Sequence, residues 1–246
     1  MGLLQRRGVL PAIVLVLTAA AGLHAQAQMS APASLSAAQI VEQMERHNQK
    51  QAQALKRYRA IRHYQAEFHG FATTVEAKME VEASFDAATG KSFHVLSQSG
   101  SKLLCEKVLK RAVDSETEAS RDKGSTALTT ANYKFQLMGT ESLNGRPVYV
   151  LEVAPWKESK YLYRGRIWVD ATDFAVSKIE ASPAKSPSFW ISRTLIRYTS
   201  AKIGDFWLPQ MSRSETKVRI GGTAVLTIDY GTCQIVPEVP DRNAGD

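Results

Sequence analysis

The sequence predicts a mainly β protein, in which one curved antiparallel sheet of about ten strands forms an unclosed barrel covered by two amphipathic helices. Three observations support this prediction. Apolar and polar residues alternate through most of the chain after Tyr58, as in half-buried strands. Turn signals such as Asn144-Gly145 separate these segments. Two segments, 36–55 and 102–112, instead carry apolar residues at helical spacing.

Residues 1–27 have the pattern of a cleaved secretory signal peptide. Two arginines precede the apolar run Val9–Leu23, and Ala25-Gln26-Ala27 supplies a small-x-small cleavage site. The apolar run is short for a transmembrane span. Since Gln28 and not cysteine follows the expected cut, no lipid attachment is predicted, and we expect a soluble protein in the periplasm.

The mature chain has the size and charge of one soluble domain. Cleavage removes two arginines and no acid, so the formal charge falls from +7 to +5, without any Lys/Arg block. This dispersed charge and the predicted export both disfavour a nucleic-acid partner. We expect a linker at 28–35, a single monomeric domain at 36–236 and a disordered tail at 237–246.

The first predicted helix begins at Ser36, which forms a capping-box pattern with Gln39. Its apolar stripe is narrow and consists of Ile40, Met44, His47 and Leu55. A helix with one narrow apolar stripe has to lie on another element.

The longest predicted strand, Thr73–Phe85, alternates most clearly. One face carries Val75, Ala77, Met79, Val81, Ala83 and Phe85, and the other is mainly charged. At about 3.3 Å per residue it would be roughly 40 Å long. A sheet of such strands twists and curls, so its apolar face needs a cover. The second predicted helix provides one, with the stripe Leu104, Cys105, Val108, Leu109 and Ala112.

The remaining chain is predicted to be strand and turn. The expected strands are Tyr133–Glu141, Pro147–Trp156, Tyr161–Asp170, Phe174–Ser182, Phe189–Lys202, Trp207–Arg219 and Thr223–Val236. Within them, GRIWVDATDFAVSKIEA at 165–181 reads as a hairpin around Asp170–Asp173. We interpret these two aspartates as turn-forming residues in preference to a catalytic pair.

The sequence contains no recognisable catalytic or metal-binding motif. The histidines lack zinc-ligand spacing, and nucleotide-binding and hydrolase motifs are missing, so we expect no enzyme, metal or cofactor. Cys105 and Cys233 are the only cysteines, and whether they pair after export remains open. The four tryptophans favour sheet packing, with a ligand lining as the alternative.

Several segments together resemble a known family. They are YRAIRHYQAEF at 58–68, NYKFQL, GRPVYVLEVAP, YRGRIWVDATDFAVSKIEASPAKSPSFW and FWLPQMSRSE. Together with the capped first helix they resemble bacterial outer-membrane lipoprotein-sorting proteins, relatives of the LolA/LolB-type carriers. The resemblance covers roughly 36–236 and is most specific in the GRIWVD…FAVSKIE hairpin. It implies an incomplete antiparallel barrel whose helices close its mouth and which holds acyl chains of lipoproteins or other lipids.

Two functions follow from this resemblance. The leading hypothesis is a periplasmic carrier in outer-membrane lipoprotein sorting or envelope lipid transport. The alternative is a non-enzymatic, lipid-sensing regulatory adaptor of the same fold with an envelope membrane-protein partner. An outer-membrane β-barrel is disfavoured, because neither face of Met211–Arg219 is apolar.

Both functions predict an apolar cavity between sheet and helices. Each acyl methylene moved out of water contributes about 0.8 kcal/mol, so binding needs few polar contacts. The residues that we expect to line this cavity are Val75, Met79, Val81, Phe85, Leu104, Val108, Leu109, Tyr149, Leu151, Ile167 and Trp168.

Overall fold

The computed structural model describes residues 35–121, 123–186, 188–219 and 221–236. The predicted signal peptide, nearly all of the predicted linker and the predicted tail lie outside these residues. Within the described ranges, no helix combines the length and hydropathy needed to cross a membrane.

Among the described residues, eleven strands form one antiparallel sheet, which confirms the predicted fold class. They are β1 Arg57–His69, β2 Thr74–Asp86, β3 Gly90–Gly100, β4 Tyr133–Leu143, β5 Arg146–Pro155, β6 Tyr163–Asp170, β7 Val176–Pro183, β8 Ile191–Ile203, β9 Phe206–Val218, β10 Thr223–Asp229 and β11 Gln234–Ile235. The order is β3-β2-β1-β10-β9-β8-β7-β6-β5-β4, and β11 pairs with β1. Since β3 and β4 end this path in the described part of the chain, the barrel is unclosed.

The helices begin where the sequence predicts them. Helix α1 is Ala37–Ala54, and its capping box is formed: the Gln39 N–H donates to Ser36 Oγ at 3.3 Å, and the Ser36 N–H donates to Gln39 Oε1 at 2.9 Å. The second helical segment consists of α2 Lys102–Leu104, a π-helical turn Cys105–Leu109, α3 Lys110–Arg121 and α4 Lys123–Thr126.

A single row of paired residues defines the inner face of the sheet. Directly paired residues share a face, so the row can be followed from strand to strand. It runs Leu137–Leu151–Ile167–Ile179–Tyr198–Ser212–Ile228–Tyr64–Met79, from β4 to β2. The row is apolar at both ends and carries Tyr198 and Ser212 in the middle.

Each helical segment covers one end of this inner face. The first core cluster joins α1 to β4–β6 through Ile40, Val41, Met44, Tyr133, Leu151, Val153, Leu162, Ile167 and Val169. The second cluster joins the second helical segment to β1 and β2 through Tyr64, Ala66, Ala77, Met79, Val81, Leu104, Cys105 and Leu109. The middle strands β8 and β9 contribute to neither cluster.

Two predicted strands differ from the observed ones for backbone reasons. The last strand is divided, because Gly231 has φ 62° and a Cβ there would lie 2.0 Å from the Ile61 carbonyl oxygen. The strand expected to begin at Phe174 begins at Val176, because Phe174 has φ 58° and belongs to the turn.

The alternation of β2 generates a stability prediction. Val81 is fully buried on the inner face, whereas the neighbouring Glu80 is exposed. We expect Val81→Asp to lower the free energy of unfolding by about 3 kcal/mol or more, because it removes a packed apolar side chain from the second cluster and buries a carboxylate opposite Arg62, whose charge Glu116 already pairs. Glu80→Ala should change it by less than about 1 kcal/mol. Urea denaturation of both variants provides the measurement, and equal effects would contradict this assignment of faces.

Candidate functional site

A cavity of about 490 Å³ lies between α1 and the middle of the inner face. Helix α1 contributes His47, Asn48 and Gln51 to its lining, and the segment 126–128 contributes a further side. The sheet supplies its apolar residues, chiefly Val176, Ile179 and Ile196, together with polar ones: Tyr163, Tyr198, Ser200, Ser212 and Tyr230. The cavity therefore occupies the part of the inner face that lies between the two helix-covered ends.

The three tyrosines of this lining are neutral hydrogen-bonding groups. Burial, and secondly the negative charge of Glu116, raises the pKa of Tyr163, Tyr198 and Tyr230. Their hydroxyls consequently remain protonated at physiological pH. His47 Nε2 is buried and has no hydrogen-bond partner among the described residues. Since buried polar atoms are usually paired, this nitrogen has hydrogen-bonding capacity that the described residues do not use.

Trp207 joins α1 to the sheet at one side of the cavity. Its backbone N–H donates to Gln51 Oε1 at 2.8 Å, and Gln51 Nε2 donates to its carbonyl oxygen at 2.9 Å. The indole Nε1–H donates to Asp173 Oδ2 at 3.0 Å. Asp173 also accepts from Lys202 Nζ at 2.9 Å and Arg146 Nη2 at 3.3 Å. These contacts hold α1, β5, β8 and β9 around the β6–β7 turn.

Asp170 organises that turn from inside the protein. Its carboxylate accepts from the Thr172 and Asp173 N–H groups at 3.0 and 2.8 Å, and from Arg146 Nε at 2.6 Å. Burial alone would raise the pKa of Asp170, but these hydrogen bonds lower it below its ordinary value. The Asp170 carboxylate therefore forms the turn, as the sequence predicts, while the Asp173 carboxylate binds side chains of neighbouring strands.

A buried ion pair lies directly behind the cavity lining. Arg62 is 2% exposed, and its Nη1 lies 2.8 Å from Glu116 Oε2 of α3. Lys91 Nζ lies 2.8 Å from the other carboxylate oxygen. The Arg62 guanidinium also lies 4.7 Å from the ring centroid of Tyr230, which borders the cavity. This ion pair connects the second helical segment to β1 and β3.

Most of the residues expected to line a cavity form the two cores instead. Of the eleven residues, all of them described, none borders the 490 Å³ cavity. Met79, Val81, Leu104, Leu109 and, at its margin, Val108 pack in the second cluster. Leu151 and Ile167, with Tyr149 at the margin, pack in the first cluster. The helices thus already occupy the apolar surface that the sequence suggested for a ligand.

The other three expected residues lie elsewhere. Val75 is 40% exposed near the start of β2, and the half-buried Phe85 stacks on Tyr58 with ring centroids 5.5 Å apart. Trp168 packs with Val148 and Val150 in a third cluster. Ile167 and Trp168, both expected to line the cavity, point to opposite faces of β6, as neighbouring residues of a strand do.

The sequence analysis missed the residues that do line the cavity. On β8 and β9 the inner face carries the polar residues Tyr198, Ser200 and Ser212. Alternation of apolar and polar residues therefore does not identify the inner face of these two strands. His47 could have been identified from the sequence, because its spacing from Ile40 and Met44 places it on the same inward side of α1.

The two cysteines are free. Cys105 is buried in the second cluster, with Sγ 3.7 Å from the Ser99 carbonyl oxygen, whereas Cys233 is half-buried beside Tyr58 and Leu208. The disulfide left open by the sequence is therefore not formed. Within the described ranges, no three His, Cys, Asp or Glu residues are grouped as metal ligands would be.

Comparison with known proteins finds similarity in structure alone, since neither a family model nor a curated protein sequence matches the chain. A DUF1329 family protein from Desulfovibrio piger has 11% identity and a TM-score of 0.42, covering 85% of this chain and 96% of its own. An outer membrane lipoprotein-sorting protein domain from Vibrio parahaemolyticus has 10% identity and a TM-score of 0.43, covering 82% and 94%. A LolA superfamily protein from Nitrosomonas europaea has 15% identity and a TM-score of 0.35, covering 85% and 96%. Two of these names match the family that the sequence resembles.

The Arg62–Glu116 pair generates a second stability prediction. Glu116→Gln leaves Arg62 and Lys91 without their shared counter-charge, so we expect the free energy of unfolding to fall by about 3 kcal/mol. Glu106→Gln is the matched control on the same helical segment, because Glu106 forms an exposed pair with Lys110. It should cost less than about 0.5 kcal/mol. Chemical denaturation at neutral pH would show the difference, and similar costs would contradict a structural role for the buried pair.

The same pair predicts a pH dependence. Burial alone would raise the pKa of Glu116, but Lys91 and Arg62 lower it below its ordinary value in the folded protein. A carboxylate with a lowered folded pKa stabilises the fold above its unfolded pKa, and this contribution is lost as the pH falls through the folded value. The difference in stability between wild type and Glu116→Gln should therefore shrink below about pH 4. A difference that stays constant from neutral to acidic pH would contradict this assignment.

Proposed function

We propose that this protein binds the acyl part of a lipid in the 490 Å³ cavity and carries it through the periplasm. The observation that supports this proposal is the cavity itself, in which Val176, Ile179 and Ile196 form an apolar patch beside polar side chains of the sheet and of α1. Its volume lies within the range of about 300–1,000 Å³ that is typical of small-molecule sites.

The size of the cavity suits a single chain. At about 30 Å³ for a group of the size of a water molecule, 490 Å³ accommodates on the order of fifteen methylene-sized groups. At about 0.8 kcal/mol for each methylene, one chain of this length supplies enough free energy for stable binding.

The polar side chains of the lining suit a small head group that forms hydrogen bonds. The described lining contains no Asp, Glu, Lys or Arg side chain, so the ligand is not selected by an ion pair. His47 Nε2 and the protonated hydroxyls of Tyr163, Tyr198 and Tyr230 can instead exchange hydrogen bonds with an ester, hydroxyl or carboxyl group. These groups orient the ligand, while its chain supplies most of the binding free energy.

The carrier role rests further on the predicted signal peptide at 1–27 and on the resemblance in sequence to lipoprotein-sorting proteins. A lipid-sensing adaptor would use the same cavity, and a membrane-protein partner would distinguish it from a carrier. Both functions require the same first step, which is reversible binding of an acyl chain.

Ser212→Trp tests the proposed site. Ser212 borders the cavity, so an indole at this position would occupy space needed by the chain, and we expect the Kd for a fluorescent fatty acid to rise at least about tenfold. Met211→Trp is the matched control, because Met211 is the preceding residue of β9, points to the opposite face and is 45% exposed. Its Kd should remain within about twofold of the wild-type value.

The titration should use protein freed of co-purified lipid, with folding of each variant checked by circular dichroism. Native mass spectrometry of protein isolated from its own periplasm would identify the natural ligand. Failure of the folded, lipid-free wild type to bind the fatty acid would contradict the proposal. Equal Kd values for Ser212→Trp and Met211→Trp would place the ligand elsewhere.

A further inference from the structure

The most exposed large apolar side chains are confined to one end of the sheet. Among the described residues, five such side chains are more than half exposed: Phe71 at 95%, Phe189 at 73%, Leu103 at 67%, Trp156 at 57% and Trp190 at 56%. The next most exposed, Leu96, reaches 48%. Single exposed apolar residues are common, but exposed aromatic residues gathered at one place mark an interaction surface.

The sheet topology brings these five residues together. Every pair of neighbouring strands is antiparallel, so the connections that leave β1, β3, β5, β7 and β9 all lie at the same end. The five residues belong to these connections or directly follow them. We call this end the aromatic rim.

Neighbouring connections of the aromatic rim contact one another. A Cβ at Gly221 would lie 2.2 Å from an atom of the Phe71 ring, so the connection after β1 touches the connection after β9. The Arg219 N–H donates to the Trp190 carbonyl oxygen at 2.9 Å, and the Lys185 N–H donates to the Ser159 carbonyl oxygen at 3.2 Å. These contacts join the separate tips into one surface.

The aromatic rim is also basic. Its connections and the adjoining start of α2 carry Lys102, Lys157, Lys160, Lys185 and Arg219, and the one acid among them is Glu158. Glu118 of α3 also reaches this rim, where its Oε2 accepts from the Tyr161 hydroxyl at 2.7 Å. The connections at the opposite end of the sheet carry Lys56, Asp173 and Asp205. Since the excess positive charge coincides with the exposed aromatic residues, the two features define one surface.

We infer that the aromatic rim docks on the surface of an anionic lipid bilayer. Tryptophan and other aromatic side chains favour the membrane–water interface, where an apolar ring and a polar edge are both accommodated. Lysine and arginine beside them add attraction to anionic head groups. The Arg219 guanidinium lies 5.1 Å from the centroid of the Phe189 ring, so apolar and basic groups are within reach of the same interface. This inference does not depend on a ligand in the 490 Å³ cavity.

Vesicle sedimentation with the full mature protein tests the inference. One set of vesicles contains phosphatidylcholine alone, and in the other phosphatidylglycerol replaces part of it. We expect wild-type protein to sediment with the anionic vesicles and to be released from them by salt, because screening weakens attraction between exposed charges. Binding that is absent, or equal for both vesicle types, would overturn the inference.

Two sets of variants locate the contact. Phe71→Ser, Phe189→Ser and Leu103→Ser combined should weaken partitioning about tenfold or more. The matched control is Val95→Ser, Leu96→Ser and Met138→Ser combined, which removes as many exposed apolar residues from the edge strands β3 and β4. These control substitutions should leave partitioning within about twofold of wild type.

The charges are tested in the same way. Lys157→Glu, Lys185→Glu and Arg219→Glu combined should lower partitioning on the order of a hundredfold. Lys50→Glu, Arg59→Glu and Arg111→Glu combined make the same change in net charge at exposed positions on α1, β1 and α3. Equal losses in the two charge sets would show that net charge alone attracts the protein, and would overturn the aromatic rim as the docking surface.

Discussion

The structure depends on one constraint: the inner face of an eleven-stranded sheet is larger than its two helical segments can cover. The apolar ends of the row from Leu137 to Met79 require helices, because exposed apolar strands cost free energy and promote aggregation. Helix α1 covers one end and the second helical segment covers the other. The middle of the inner face, between these two ends, carries Tyr198 and Ser212. Because these side chains are polar, this part of the face does not need a helix to cover it.

Two polar networks hold the helices beside this opening. The hydrogen bonds of Gln51 and Trp207 attach α1 to β9, and Asp170 and Asp173 attach the same region to neighbouring strands. On the other side, Arg62 and Glu116 attach α3 to the sheet. The hairpin at 165–181 is therefore structural: its alternation places Ile167 in the core, and its turn anchors the side of the cavity formed by Trp207.

Much of the fold could be predicted from the sequence, whereas the site could not. Alternation in β2, the capping box at Ser36 and the Asn144-Gly145 turn are local signals, and all three are confirmed by the structure. The cavity lining depends instead on register across several strands and on which apolar residues the helices cover. Met79 and Leu151 are apolar and face inward as expected. However, the second helical segment covers Met79 and α1 covers Leu151, so neither borders the cavity. No local pattern distinguishes a residue under a helix from one beside it.

The central claim is that a ligand lies between α1 and the middle strands, and photo-cross-linking tests it most directly. A fatty acid with a diazirine near the end of its chain would be bound to the lipid-free mature protein, irradiated and mapped by peptide mass spectrometry. We predict adducts on the inner-face residues of β7, β8 and β9, such as Ile179, Ile196 and Ser212, and on α1 near His47. Adducts confined to Leu104–Leu109, or to the opposite face near Trp168, would contradict this account.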